Sequence, residues 1–425
     1  MGNTLLKGHP KGLYLLFFVE MWERFSFYGM RALIVLYMIQ ELMFSAQKAG
    51  NIYGLYTGLV YLTPLIGGYL ADRYFGQRKC IAAGAVFMSC GLFLLAFGPK
   101  SLFLLSLFLM ITANGCFKSN ISSLLGLLYG NHDDKKDSAF TIFYMGINFG
   151  AFLSPLICGT LAVKYGFNYG FAAAGCGMLA GLLMYKVFEN KLLGECGKFP
   201  SKCVGDVGVK QNMTQDERGK LKALIVLMLF TIPFWVCFEQ AGSSLTLFAE
   251  YATDRSFWGH EIPTGYFQSL NPLFIIAIAP LMSMLWEVLR SKSKEPTSVE
   301  KFAIALGIMT VAYIVMAYAG YLSTGSMVSP LWLVLGYFIM TLAELCLSPI
   351  GLSLVSKLAP KQFLSLMMGC WFLTNFSGNL LAGYWGGKYE TMAAYCLFGT
   401  LAIASLIAFF ILICFIKHLN KLLKN

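Results

Sequence analysis

Apolar stretches recur along almost the whole chain, each close to the roughly 20 residues a helix needs to cross a hydrocarbon core about 30 Å thick. They lie near 13–40, 51–71, 80–98, 101–127, 138–163 and 168–188, and again near 222–249, 264–289, 301–322, 329–356, 362–386 and 392–416. A chain built this way has one natural solvent, the bilayer. The composition agrees: 57% of the 425 residues are hydrophobic and only 12% are charged, against about 25% charged in a typical soluble domain. The expected fold is an all-α membrane protein of twelve transmembrane helices in two six-helix bundles. Residues 1–188 form the first bundle, 189–221 a polar cytoplasmic linker, and 222–425 the second bundle with its tail. The layout is therefore six helices, a tether and six helices.

The net charge of +11 could point to nucleic acid, but the distribution of the charge points to topology instead. Of 32 basic residues, 24 fall in the termini and in the loops on the same side as the termini, and five fall on the opposite side. By the positive-inside rule the crowded side, with both termini, is cytoplasmic. The first apolar run carries charges at its centre and no small-residue cleavage site, so it is expected to stay as a helix in the cell membrane rather than serve as a removable signal. The twelve cysteines lie mostly inside apolar runs, where Cys behaves as a small hydrophobe. Cys196 and Cys203 share the linker without a nearby His, a poor zinc site; no metal and no cofactor are expected.

The three remaining basic residues, Arg24, Arg31 and Lys118, sit at membrane depth. An ionised group there costs roughly 2.5–3.5 kcal/mol on insertion scales. The first run nevertheless holds Glu20, Glu23, Arg24 and Arg31 within VEMWERFSFYGMRALIVLY. At about 100° per residue these four and Tyr28 fall inside an arc of about 140°. Such a stripe faces a bundle interior or a wet cavity. Glu239 and Glu344 repeat the pattern singly in the second half. Paired charges could merely fix helix packing, but packing is more often served by Gly, Ser or Thr.

The signs of these charges fit a zwitterion. Arg31 and Lys118 would anchor a carboxylate, Glu344 an amine, and the amides of Asn148 and Asn271 would pair with a peptide bond, although each Asn would equally serve as a helix–helix hydrogen bond. All four histidines lie in loops or tails. If a proton is carried, Glu20, Glu23 and Glu239 must carry it, since burial raises a carboxylate pKa and a neighbouring Arg lowers it.

The run EMWERFSFY at 20–28 resembles the ExxERFxYY signature of the proton-dependent oligopeptide transporter family, with Phe27 in place of the first Tyr. GGYLADRYFGQRK, NGCFKSNIS, FYMGINFGAFLSPLICG, FEQAGSSL and FQSLNPLF follow in the family's order, and the resemblance covers about 13–416. It implies a proton-coupled importer of di- and tripeptides, and of peptide-like drugs, working by alternating access. Glu20, Glu23 and Arg24 would couple protons, and Glu239 would pair with Arg31 and release it on protonation. Arg31 and Lys118 would meet the peptide carboxylate, Glu344 its amine, and Asn148 and Asn271 its backbone. Tyr28, Tyr61 and Trp371 would shape the pocket, with Asp72 and Arg73 as a cytoplasmic latch. The implied partners are short peptides, protons and the lipid bilayer, with no nucleic acid, and the protein is expected to function as a monomer.

There are two further departures. Many bacterial members insert two extra helices between the bundles, for which the linker here is too short. Asn375, four positions after the pocket Trp, stands where a small polar residue is found and would alter side-chain preference. The rival readings are a proton-coupled transporter of another small organic ion or nitrate, a membrane enzyme and a channel. No HExxH pair and no His at membrane depth support an enzyme, and the buried charges are mixed in sign rather than ringed by one sign as in a channel. Collapsing the proton gradient with an ionophore is expected to abolish concentrative uptake; unchanged uptake would remove proton coupling.

Overall fold

The computed structural model describes residues 8–129, 135–200, 215–257, 259–358 and 364–424. Lys7, His132, Asp133, Asp134, Cys203 and Lys361 lie outside these ranges. A helix occupies each apolar run read from the sequence. In chain order these are α1 (Lys11–Gln40), α2 (Ala46–Leu70), α3 (Gln77–Phe97), α4 (Phe103–Tyr129), α5 (Lys136–Tyr165) and α6 (Phe167–Leu193). There follow α7 (Gln215–Phe238), α8 (Ser244–Tyr251), α9 (Leu270–Ser291), α10 (Ser298–Leu322), α11 (Leu331–Leu358), α12 (Leu364–Gly386) and α13 (Ala394–Lys424). The described strands are β1 (Ser256–Phe257) and β2 (His260–Glu261), an antiparallel pair in the α8–α9 connection. Among the described residues nine helical stretches are long and apolar enough to cross a membrane. Those nine leave out α1, which carries five charges, and α2 and α12, which are diluted by Gly, Tyr and Asn.

Three helices depart from the expected limits. The seventh run is interrupted: a 3₁₀ turn, Glu239–Gly242, separates α7 from α8. α9 is preceded by a 3₁₀ turn, Thr264–Ser269, because Pro272 cannot donate into the helix that follows. α13 runs on past the apolar stretch to Lys424, since the Leu and Lys of its last turns are good helix formers and Leu419 is buried.

The chain forms two compact units, residues 1–37 with 59–205 and residues 38–58 with 206–425. In the first, α1 lies against α5 and α6 on glycines. A Cβ on Gly146 would meet Phe17 at 2.9 Å, one on Gly177 would meet Phe25 at 2.6 Å, and one on Gly181 would meet Trp22 at 2.9 Å. Such small residues let backbones close up where no hydrophobic force drives lipid-solvated helices together. Ser26 Oγ adds bonds to the carbonyls of Trp22 and Ala174 at 2.8 and 2.7 Å. Across the second half of α2, Thr63 donates to Ile111 O, Ser119 to Pro64 O and Asn120 to Gly67 O, at 3.1, 3.0 and 3.2 Å.

In the second unit, α10 is the hub, with Met309, Ala312, Tyr313 and Met316 fully buried. The first half of α2 packs against α12 through Gly50, Gly54 and Gly58, which meet Asn379, Gly383, Gly387 and Phe376. A Cβ on Gly383 would lie 2.7 Å from Gly54 Cα and 2.8 Å from its nitrogen, a backbone contact that cannot yield. Gly383→Val is therefore expected to cost about 1–3 kcal/mol, while Gly399→Ala, with nothing within 4 Å of its Cβ, should stay within about 0.5 kcal/mol. Thermal unfolding of the two variants in the same detergent checks the contrast.

Candidate functional site

The charged stripe of α1 is buried. Glu23 is 0%, Glu20 3% and Arg24 4% exposed, and the three form one ion-paired group. Arg24 grips Glu23 in a fork, with Nε to Oε2 at 2.5 Å and Nη2 to Oε1 at 2.8 Å, the bidentate geometry in which guanidinium–carboxylate pairs are strongest. Its Nε also lies 3.4 Å from Glu20 Oε1, one turn earlier. Nη2 donates to Asn114 Oδ1 at 3.4 Å, and Asn114 in turn donates to Met110 O. Phe27 presents its ring 5.1 Å from the guanidinium carbon, so the aromatic that replaces a Tyr in the signature serves as a cation–π face. Glu20 Oε2 has no hydrogen-bond partner among the described residues. Glu20 and Glu23 thus share one guanidinium, and Lys118 is near enough to act on Glu20 as well.

The other two membrane-depth cations of this unit lie near aromatic rings. Arg31 lies 5.7 Å from the Tyr28 ring and Lys118 4.4 Å from the Tyr61 ring. Lys118 is one turn from Asn114, which places it on the same face of α4. Asn148, 5% exposed, donates to Tyr144 O at 2.9 Å within its own helix. Asp72 and Arg73 lie in one π-helical turn, Ala71–Phe75, which ends at Gly76 with φ +82°. There Asp72 accepts from Gln77 at 2.8 Å and Arg73 donates to the Tyr69 hydroxyl at 2.7 Å. The buried cation of that corner is Arg78, bonded to Glu189, Asn190 and Gly194 O. Its direct anchoring of the strap after α6 was not read from the sequence.

In the second unit the structure brings Asn271 and Glu344 together. Asn271 Nδ2 donates to Glu344 Oε2 at 2.8 Å and to Thr341 Oγ1 at 3.1 Å. Thr341, fully buried, passes its own proton to Tyr337 O at 2.7 Å. The Tyr337 hydroxyl reaches Ala241 O at 3.3 Å, inside the 3₁₀ turn that carries Glu239. That turn is held from several sides: Tyr313 donates to Cys237 O at 2.6 Å, and Gln240 donates to Val236 O and Ala382 O at 3.1 Å. Ser243 and Ser244 donate to Gln240 Oε1 at 3.3 and 2.6 Å. A helix broken at membrane depth needs such partners for its released carbonyls. Glu239 itself is 2% exposed. Trp371 lies across Gly351, where any Cβ would overlap its indole. Asn375 donates to Trp371 O at 3.1 Å, tying its amide to its own helix. No group of three or more potential metal ligands occurs among the described residues.

Three supporting residues were missed in the sequence: Asn114, Thr341 and Gln240. For two of them a signal existed, since Asn114 is four residues before Lys118 and Thr341 three before Glu344.

The family model described as the POT family matches residues 78–192 and 186–394. The chain is 34% identical to "Peptide transporter YePEPT" of Yersinia enterocolitica, over 100% of this chain and 97% of the relative. It is 31% identical to "Di-/tripeptide transporter" of Lactococcus lactis, over 98% and 97% of the two chains. The crystal structure of a peptide transporter POT in complex with sulfate superposes with a TM-score of 0.91 at 35% identity, covering 98% of this chain and 96% of that one. The fold is thus that of a multi-pass membrane transporter. The chain belongs to the POT family. The family match comes in two pieces that overlap at 186–192, the end of α6.

Thr341→Val, which keeps the shape but removes the hydroxyl, is expected to lower stability by about 1 kcal/mol, and Thr341→Ser to restore it. Paired thermal unfolding curves check this.

Proposed function

We propose that this protein imports di- and tripeptides, with peptide-like compounds as further cargo, in symport with protons by alternating access. The observation that carries the reading is the buried Glu20–Glu23–Arg24 group with its unpartnered Glu20 oxygen. A buried carboxyl with one oxygen near a guanidinium and the other open is a natural place for a coupling proton. The peptide part of the reading is supported by the relatives named as peptide and di-/tripeptide transporters.

In this reading the chain has twelve spans in two six-helix bundles of the major facilitator type, 1–188 and 222–425, tethered by 189–221. It works as a monomer in the cell membrane with both termini cytoplasmic. α1, α2 and α12 then cross as polar helices, and α7 with α8 make one broken crossing. Arg31 and Lys118 receive the peptide carboxylate and Glu344 its amine. Asn148 and Asn271 take the peptide backbone, and Tyr28, Tyr61 and Trp371 the side chains. The NH₂ of Asn271 is committed to Glu344 and Thr341, which leaves the carbonyl oxygen of the amide as the group to accept from a peptide N–H. Protonation of Glu239 releases Arg31 as the cycle turns, and Asp72 and Arg73 act at the cytoplasmic latch. No metal or organic cofactor takes part.

The test is uptake of a labelled dipeptide and tripeptide into proteoliposomes, with and without an inward proton gradient, with nitrate and other organic ions as competitors. Glu23→Gln is expected to abolish gradient-driven uptake while counterflow persists at least in part. Loss of both, with an unchanged unfolding midpoint, would refute the coupling role, and inhibition by nitrate but not by peptides would transfer the reading to another solute.

A further inference from the structure

The turn between α9 and α10 closes in a way that leaves one charge unspent. Ser293 N–H donates to Arg290 O at 2.9 Å and Lys294 N–H to Leu289 O at 2.8 Å, a Schellman ending. It requires Ser293 to adopt φ +54°, a left-handed conformation unusual for a residue with a side chain. The reversal turns Glu295 back between two cations. Arg290 donates to it at 2.6 and 3.1 Å and Lys301 at 2.7 Å. Arg290 first and Lys301 second hold its carboxyl down at about 2. Lys301 is itself braced 4.4 Å from the Trp286 ring. Glu300 is engaged too: its Oε2 accepts from Thr297 N–H at 2.6 Å in a capping box. Lys294, exposed beside these carboxylates, forms no ion pair among the described residues.

Directly below this rim lies a cavity of about 440 Å³ between α10 and α13. Its walls are Ile304, Phe409, Ile413 and Ile416, with Ala303 behind them. Phe409 reaches across Gly307, whose Cβ would meet the ring at 3.1 Å, so the ring's place in the wall depends on the missing side chain. An apolar trough with a cation at its mouth that makes no ion pair among the described residues has the polarity of an amphiphile with an anionic head.

We propose that this groove binds an anionic phospholipid of the cytoplasmic leaflet, its headgroup phosphate on Lys294 and an acyl chain along α13 between Phe409 and Ile416. The side of the membrane rests on the topology given under Proposed function. Charge complementarity selects the occupant. With Glu295 and Glu300 both engaged, the rim offers Lys294; Lys292 directly follows α9, and Lys417 is the residue after Ile416 on α13. Each such cation near an anionic surface contributes enough attraction to change affinity about fivefold. The lipid would brace α10 and α13, both part of the core of the second unit.

The test titrates the purified full chain in a neutral detergent with dioctanoyl phosphatidylglycerol, dioctanoyl phosphatidylcholine or inorganic phosphate, and reads the thermal midpoint. The anionic lipid is expected to raise the midpoint by about 3 °C at ten times its dissociation constant, and the other two by less than a third of that. Lys294→Ala should weaken the lipid about fivefold, and Ile413→Trp, which fills the groove, should remove the shift. Equal shifts from phosphatidylcholine, a full shift from phosphate alone, or unchanged titrations of both variants would overturn the proposal. Dipeptide counterflow by Lys294→Ala in neutral liposomes is expected to match the parent chain. Absence of counterflow in the parent would fail the transport reading and leave the lipid titration standing.

Discussion

A guanidinium in hydrocarbon has to bring its counter-charge with it, and in this molecule that requirement is met within a single helix. Arg24 finds both of its carboxylates on α1, one adjacent and one a turn away. Desolvating three ionised groups costs several kcal/mol per ion unless geometry and hydrogen bonds offset it. The fork to Glu23, the Asn114 contact and the Phe27 face supply those offsets. The glycines of α5 and α6 follow from the same constraint, because α1 must be enclosed by protein for its charges to be tolerable.

The second unit solves a related problem with backbone rather than side-chain charge. Breaking α7 at Glu239 frees carbonyls that water cannot reach. Tyr313, Tyr337 and Gln240 replace it as donors. The relay from Glu344 through Asn271, Thr341 and Tyr337 ends on Ala241. A carboxylate on α11 and the broken turn of the seventh run are thus linked through neutral groups of α9 and α11.

Much of this was legible in the sequence because hydrocarbon imposes a plain code: runs of about 20 apolar residues and rare, conspicuous charges. Glu20, Glu23 and Arg24 could be grouped from helical spacing alone, and they meet as that spacing implies. What remained hidden depended on neutral polar residues. Asn114, Thr341 and Gln240 have ordinary frequencies in membrane helices, and nothing in their spacing says which carbonyl or carboxylate they serve. The break at Glu239 was unreadable for a similar reason. FEQAGSSL is neither apolar enough to demand a helix nor rich enough in Gly and Pro to forbid one, and only the partners around it decide. Asn148 and Asn375 are bonded within their own helices, a local choice that composition does not reveal.

Where Gly50 and Gly54 face Gly383, the contact of α2 with α12 is main chain on main chain. Interlocking side chains would have to leave their rotamer wells before such a contact could part, and would regain motional freedom only afterwards. Bare ribbons have nothing to disengage. Their cohesion rests on many weak C–H···O and dispersion contacts of similar strength all along the track. Such a track resists compression firmly, because atoms already touch, yet offers little friction to lengthwise slip: a bearing rather than a bolt.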